Sequence, residues 1–326
     1  MSARMAIVAV LAALGTIGIV LSASASDYPN HPVTIVVPFS AGGPTDVIAR
    51  IVGDHMGKTL GQPVRIANIR GDGGTKGATR AKDAAADGYT IIMGHMGTHA
   101  AAVSLYPHLA YDPEKDFAPI GLVAGTPILI VARMDLPARN LKEFIHYLKA
   151  NIHKVKAAHA GVGSVSYATC ALFNAMIGVA PAAEPFDGTG PAMNALLGGQ
   201  IDYMCDQVVN LVSQVEGGVA RAYAVATPER NPVLPRVPTT REAGLPDFQV
   251  SAWNALFAPA GTPQPVLDRL TEALDKALDD PLTRRRLLDL GSDVPDGPRR
   301  GQKALAELVK SEIARWTILK KVQWLN

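Results

Sequence analysis

The stretch VVPFSAGGPTDVIAR, from Val36 to Arg50, predicts a buried β-strand, a glycine-rich turn and the start of a helix. The β-branched run Val33–Pro38 carries no charge, which is typical of a parallel strand buried on both faces. Apolar residues then recur at helical spacing from Val47 to Met56, and Gly61-Gln62-Pro63 ends the helix. This strand-turn-helix junction predicts an α/β fold, with a helix N-terminus placed where a small ligand can bind.

The same pattern recurs along the chain. Val64–Ala67 is a predicted strand, Thr79–Ala86 a short helix and Tyr89–Met93 a third strand, which gives the β-α-β-α-β order of an open parallel sheet. The later segment AAHAGVGSVSYATCALFNAMIG repeats the strand, turn and helix. Two apolar strands, Leu122–Val131 and Val250–Pro259, connect the two α/β units. Two strands that cross between the units predict a hinge, with a cleft between two lobes.

The expected organisation has three parts: a signal peptide at residues 1–25, a first lobe at residues 26–123 plus 250–326, and a second lobe at residues 124–249. Met5–Leu21 is apolar, and Ala23-Ser24-Ala25 has the pattern of a cleavage site. We therefore expect cleavage after Ala25 and a periplasmic protein. A short membrane anchor is the alternative interpretation of this apolar run.

The composition argues against a nucleic-acid partner and leaves open whether the two cysteines form a disulfide. The chain has 31 basic and 29 acidic residues in 326, so it shows no electrostatic footprint for nucleic acid. Its two cysteines, Cys170 and Cys205, are either buried thiols or a disulfide of an exported protein. No C-x-x-C motif is present, which argues against thiol redox chemistry.

Four loops rich in Gly, Ser and Thr follow predicted strands or precede predicted helices. Their backbone N–H groups and the helix N-termini behind them can hold a carboxylate without any arginine. In the last loop, Pro191 is expected at the first helical position. The four loops are Ser40–Thr45, Gly94–Thr98, Gly161–Ser166 and Phe186–Gly190.

Two acidic residues stand out, each with two interpretations. Asp46 lies in the first turn of the first helix and is either a capping acid, which we favour, or a functional group. Asp206 ends the apolar strand IDYMCD and either contacts ligand or water, or caps the next helix. His95 and His99 have H-x-x-x-H spacing but no third ligand nearby, so we favour His95 as a loop donor over a zinc site.

Two other motifs do not match known functional motifs in their spacing or in their structural context. GDHMGKT, from Gly53 to Thr59, is one residue short of a phosphate-binding loop and lies inside a helix. GVGSVS lacks the closing glycine of a G-x-S-x-G elbow, and Ser164 has no evident base. The sequence therefore predicts no cofactor, no metal and no enzymatic activity, with a secreted hydrolase as a remote alternative.

An ordered series of motifs resembles the extracytoplasmic solute-binding proteins of tripartite tricarboxylate transporters, the Bug family. The resemblance covers nearly the whole mature chain. It rests on YPNHPVTIVVPFSAGGPTDVIAR, LGQPV, GGTKG, DGYTIIMG, SLYPHLAYDPEKDFAPIG, LLGGQIDYMCD, LPRVPTTREAGLP and LFAPAGTP.

This resemblance implies a two-lobed, type II periplasmic binding-protein fold that closes over a small carboxylate, either a di- or tricarboxylate or an aromatic carboxylate. We expect a monomer. It implies delivery of the ligand to a membrane permease of one large and one small subunit. A sensor partner of a two-component kinase is the alternative role. Carried over by position, the resemblance assigns ligand contacts to Phe39, Ser40, Ala41, Thr45, His95, Met96, Gly97, Thr98, Gly163, Ser164, Val165, Ser166, Tyr167, Gly188 and Asp206.

The sequence also departs from the family pattern. Phe186-Asp187-Gly188 stands where the family often has Y-K-G, and Tyr167 stands where many members have histidine. His95 and His159 replace small serines. These departures suggest that a positive group in the cleft is exchanged for histidines and a phenol, which would suit a distal carboxyl or an aromatic ring.

Overall fold

The computed structural model describes residues 28–321, so the predicted signal peptide lies outside the described residues. Within this range a mixed sheet forms the centre of the fold. Its strands are β1 (Val33–Val37), β2 (Val64–Asn68), β3 (Thr90–His95), β4 (Phe117–Arg133), β5 (Lys156–His159), β6 (Ala182–Pro185), β7 (Tyr203–Gln207), β8 (Ala220–Val225) and β9 (Ser251–Pro259).

Helices cover both faces of this sheet. They are α1 (Pro44–Leu60), α2 (Thr75–Lys82), α3 (Ala102–Leu105), α4 (Leu141–Ala150), α5 (Val165–Ile177), α6 (Thr189–Leu197), α7 (Val212–Glu216), α8 (Gln264–Asp279), α9 (Pro281–Asp289) and α10 (Gly301–Trp316). No helix among residues 28–321 is both long and apolar enough to cross a bilayer.

The sheet has two halves, in the order β2-β1-β3-β9-β4-β7-β5-β6, with β8 beside β4. In the first half, β1 runs parallel to β2 and β3, and β9 is antiparallel to β3. In the second half, β5 runs parallel to β6 and β7. Each half therefore places the carboxyl ends of its parallel strands, and the helix N-termini that follow them, on one edge.

Strand β4 passes from one half to the other. Its residues Phe117–Pro127 pair with β9, and its residues from Ile128 onward pair with β7 and β8. The strand is longer at both ends than the predicted Leu122–Val131. Because β4 and β9 are the long strands expected to connect the two units, this change of partner near Pro127 marks the crossing.

Two apolar clusters pack on the two faces of the sheet. Val36 faces one cluster, while Ile35 and Val37 face the other together with Met56 of α1. This alternation explains why the first strand has no polar position: both of its faces are covered. The uncharged run predicted from sequence is confirmed as a parallel strand.

Two local predictions differ from the structure. Helix α2 begins at Thr75 rather than Thr79, because Asp72, Gly73 and Gly74 all have positive φ and turn the chain into the helix earlier. Helix α6 begins at Thr189, so Pro191 is its third residue and not its first.

The C-terminal helix α10 is anchored to the sheet by one buried carboxylate. Glu312 accepts hydrogen bonds from the indole N–H groups of Trp253 at 3.3 Å and Trp316 at 3.1 Å. All three residues are buried, and Trp253 belongs to β9. Glu312 therefore ties the helical tail to one of the two crossing strands.

We expect Glu312→Leu to lower the free energy of unfolding by about 2–5 kcal/mol, since it leaves two buried indole donors without an acceptor. Urea unfolding monitored by circular dichroism measures this loss. Glu307→Leu, an exposed position on the same helix, is the matched control and should change little. Equal losses in the two variants would contradict the anchoring role.

Candidate ligand-binding cleft

A small cavity of about 20 Å³ lies between the two halves of the sheet. Its walls come from the loops after β1, β3, β5, β6 and β7. The lining residues are Phe39, Ser40, Gly43, Pro44, Thr45, His95, Ala160, Ser164, Val165, Ser166, Gly188, Thr189, Asp206 and Gln207. None of these lining residues is lysine or arginine, and Asp206 is the acidic one.

Three helices begin at this cavity. Helix α1 starts after Gly43, α5 after Ser164 and α6 after Gly188, and each of these cap residues lines the wall. The first N–H groups of a helix have no acceptor within the helix, and its N-terminus carries about half a positive charge. Helices from both halves thus direct unpaired donors and positive potential into one space.

The loop before α1 is held in place by Asp46. Its carboxylate accepts the Gly42 N–H at 2.8 Å and also binds Arg50 and Asn68. Burial alone would raise the pKa of Asp46, but these hydrogen bonds lower it below its usual value. Asp46 does not line the cavity; its contacts are those of the capping acid favoured from sequence.

His95 presents a neutral donor. Its Nδ1 accepts the N–H groups of Gly97 at 2.9 Å and Thr98 at 3.2 Å, so the ring proton resides on Nε2. The ring stacks on Phe39 at 4.8 Å between centroids. Burial lowers the pKa of His95 to about 4, which keeps the ring uncharged at neutral pH. His95 therefore offers the cavity a hydrogen bond and no positive charge.

His159 is also neutral, because burial lowers its pKa to about 4. Its Nδ1 accepts the Gly161 N–H at 3.1 Å, and its ring meets Tyr167 edge-on at 4.8 Å between centroids. His159 and Tyr167 lie behind the cavity wall rather than in it. The exchange of a positive group for histidines that the sequence suggests would therefore bring in uncharged rings at neutral pH.

Asp206 is fully buried in the cavity wall. Its Oδ2 accepts the Thr189 hydroxyl at 2.7 Å, and its Oδ1 accepts the Gln207 N–H at 2.7 Å. Burial raises the pKa of Asp206 to about 6, although both hydrogen bonds oppose the rise. The carboxyl is thus poised to titrate near neutral pH and can accept a proton or a hydrogen bond from a bound molecule.

The two halves touch around the cavity. Tyr106 of the first half donates its hydroxyl to Val162 of the second half at 2.5 Å, and this hydroxyl also lies 2.8 Å from the Asp72 carbonyl. A Cβ on Gly73 would lie 1.4 Å from the Val162 carbonyl oxygen, so only glycine permits this approach. The Ser40 hydroxyl donates to the Asp187 carbonyl on the other side of the cleft. The structure is therefore that of a closed cleft.

Nine of the fifteen residues assigned from sequence line the cavity: Phe39, Ser40, Thr45, His95, Ser164, Val165, Ser166, Gly188 and Asp206. The other six, Ala41, Met96, Gly97, Thr98, Gly163 and Tyr167, do not. Gly97 and Thr98 orient His95 through their N–H groups. Of the other five lining residues, Gly43, Pro44 and Thr189 lie in loops predicted from sequence, whereas sequence reasoning missed Ala160 and Gln207. Gln207 directly follows Asp206, which it named.

The fold and the closed cleft define a two-lobed periplasmic binding protein. The model of the tripartite tricarboxylate transporter family receptor matches residues 48–324. The chain belongs to this family, which confirms the resemblance, and the predicted α/β fold class is confirmed with it.

Solved structures of three proteins are similar to this chain. MatC from Rhodopseudomonas palustris with bound malate is 52% identical, with a TM-score of 0.88 over 90% of this chain and 100% of that one. The periplasmic binding protein BugD is 42% identical, with a TM-score of 0.87 over 90% and 98%. Rpa4515 from R. palustris with adipate is 31% identical, with a TM-score of 0.86 over 91% and 98%.

The raised pKa of Asp206 predicts a pH-dependent stability. Its folded value of about 6 exceeds the unfolded value of about 3.9. The carboxyl therefore favours the folded state below about pH 4, and this contribution is lost as the pH rises through about 6. Asp206→Asn removes the ionisation, so the variant should exceed the wild type in free energy of unfolding at about pH 7.5 by roughly 2–3 kcal/mol.

Urea unfolding of both proteins at about pH 4 and about pH 7.5 measures this difference. The advantage of Asp206→Asn should be present at the higher pH and absent at the lower one. Asp247→Asn, at an exposed position, is the matched control. A gain of the same size at both values would mean that Asp206 does not titrate as its burial implies.

Proposed function

We propose that this receptor captures a small dicarboxylate between its two halves and delivers it to the permease of a tripartite tricarboxylate transporter. The observation that carries the proposal is the meeting of three helix N-termini at a cavity whose lining contains no basic side chain. Such a cavity has donors and positive potential for a carboxylate, and its one acidic lining residue, Asp206, has its charge disfavoured by burial.

The proposed ligand class rests on the ligands of similar proteins and on the residues that line the cavity. MatC, at 52% identity, is described with malate, and Rpa4515 with adipate. In this chain the neutral His95 would donate Nε2–H to a carboxylate oxygen. Asp206 would accept a hydrogen bond from a ligand hydroxyl, which favours a hydroxy acid such as malate over its unsubstituted analogue. Of the two ligand features suggested from sequence, a distal carboxyl and an aromatic ring, these observations favour the distal carboxyl of a dicarboxylate.

The nine lining residues assigned from sequence serve in this proposal as ligand contacts. Val165 and Ser166 contribute first-turn N–H groups of α5, while Thr45 does so from α1. The Ser164 hydroxyl accepts the Tyr167 N–H at 3.2 Å and donates to the Gly161 carbonyl at 2.6 Å. Its engagement as a helix cap supports binding, and it speaks against a nucleophilic role.

The halves would move as lobes about the crossing strands. The change of partner along β4 near Pro127 supports boundaries at residues 26–123 plus 250–326 and 124–249. We further infer that the chain is exported to the periplasm, that the signal peptide at residues 1–25 is removed, and that the mature receptor acts as a monomer. Its protein partners would be the large and small permease subunits.

A ligand panel tests the proposal. Residues 26–326, unfolded and refolded to remove retained ligand, would be titrated with malate, succinate, adipate, citrate and benzoate by calorimetry and thermal unfolding. Malate at about 100 times its dissociation constant should add about 2.7 kcal/mol to the free energy of unfolding. Malate should bind more tightly than succinate in the wild type, and by a smaller margin in Asp206→Asn. Binding of benzoate alone, or of none of the five, would overturn the proposed ligand class.

Closure can be tested separately through Gly73. Gly73→Ala places a Cβ against the Val162 carbonyl oxygen, so the variant should fail to compact when malate is added. Small-angle X-ray scattering should show a ligand-dependent fall in radius of gyration for the wild type and not for this variant. Its affinity should fall at least about tenfold, because the contacts from the second half are lost.

Gly61→Ala is the matched control for this experiment. Gly61 has a similar positive φ of 72°, but a Cβ there meets no atom within 4 Å. It therefore reproduces the backbone strain of the substitution without obstructing the cleft. Equal compaction of Gly73→Ala and wild type would show that the contact with Val162 is not needed for closure.

A further inference from the structure

Gln207 lies in the cavity wall at a position that joins the site to both crossing strands. It is the last residue of β7, directly after Asp206, and is 3% exposed. Sequence analysis gave it no role. Its surroundings distinguish it from the other lining residues, because its side chain contacts the strands that connect the two halves.

The amide oxygen of Gln207 is held by two donors. Thr126 of β4 donates its hydroxyl to Oε1 at 2.6 Å, and Asn254 of β9 donates Nδ2 to the same oxygen at 3.2 Å. Thr126 and Asn254 are both fully buried. An amide oxygen has two lone pairs, so these contacts satisfy it. The Nε2 hydrogens are then the groups of Gln207 that remain available to donate to the cavity.

Asn254 provides a second, independent observation. Its Oδ1 is buried and has no hydrogen-bond partner within the described residues. In the β3–β9 pairing Asn254 lies opposite His95, and directly opposed residues project to the same face of a sheet. While the Gln207 oxygen accepts the Thr126 hydroxyl, the Asn254 amide cannot be turned over, since Oδ1 would then face that oxygen. A buried carbonyl oxygen without a donor is a position where an ordered water can bind.

We propose that Gln207 donates its Nε2 hydrogens to the ligand carboxylate, while Thr126 and Asn254 position its amide from the two crossing strands. The inference rests on the proposed function and specifies one donor of that same site. Any shift of β4 against β9 moves Thr126 relative to Asn254 and so releases the Gln207 oxygen. Gln207 thereby makes the strength of the ligand contact depend on the arrangement of the crossing strands.

The charge-bearing variant gives the first test. In Gln207→Glu the carboxylate can still accept from Thr126 and Asn254, but it presents negative charge to the ligand in place of two donors. Malate affinity at about pH 7.5 should fall about 30-fold or more, since a hydrogen bond to a charged group is lost. The ratio of wild-type to variant affinity should shrink at about pH 5.5, where protonation of the glutamate restores a donor.

Two further variants keep the test independent of folding. Gln207→Met removes the donors without adding charge and should lower malate affinity about tenfold. Thr126→Val should lower affinity about threefold or more in the wild-type background and leave it unchanged in the Gln207→Met background, since the two residues act through one amide. Gln200→Glu, exposed in the same half of the sheet, controls for added charge and should bind as the wild type does.

The outcomes separate this inference from the proposed function. If the wild type binds malate and the Gln207 variants bind it equally well, the role of Gln207 is overturned while the receptor stands. Additive effects of Thr126→Val and Gln207→Met would overturn the positioning role of Thr126. A wild type that binds none of malate, succinate and adipate would overturn both proposals.

Discussion

The site depends on one electrostatic constraint: the N-termini of α1, α5 and α6 meet at a cavity whose one acidic lining residue is Asp206, and burial disfavours its charge. The positive ends of three helices repel one another in a space from which water is largely excluded. An anion relieves this repulsion, and it can do so fully only when both halves of the sheet contribute. The requirement for a ligand and the requirement for closure therefore have the same physical origin.

Neutral donors give this kind of site a particular selectivity. A lysine or arginine would attract any anion through its net charge, whereas N–H groups and the Nε2–H of His95 bind oxygens at fixed positions. Discrimination then follows from the geometry of the carboxylate and from the group that meets Asp206. A wall of this type also leaves no buried cation uncompensated when the ligand departs, which suits a receptor that must release what it binds.

The first strand, its turn and the helix were predictable because each has a local cause: a β-branched run, glycines and helical periodicity. The strand ends also indicated Asp206, since a charge after an apolar run is conspicuous. Gln207, the next residue, was not predictable, because its role comes from Thr126 and Asn254, which lie 81 and 47 residues away in sequence. The neutral state of His95 likewise depends on its burial and on two backbone contacts that periodicity does not reveal.

Closure itself receives little help from the side chains at the mouth of the cleft. Arg70 and Asp187 pair across it at 3.5 Å, but their side chains are 64% and 73% exposed, and such pairs contribute about 0–1 kcal/mol. The Tyr106 and Ser40 contacts replace hydrogen bonds that water provides in an open cleft, so their net contribution is also modest. The closed state must then draw its stability from the ligand, which binds the closed arrangement more tightly than the open one. The proposed function requires such weak contacts, because strong ones would close the receptor without a ligand.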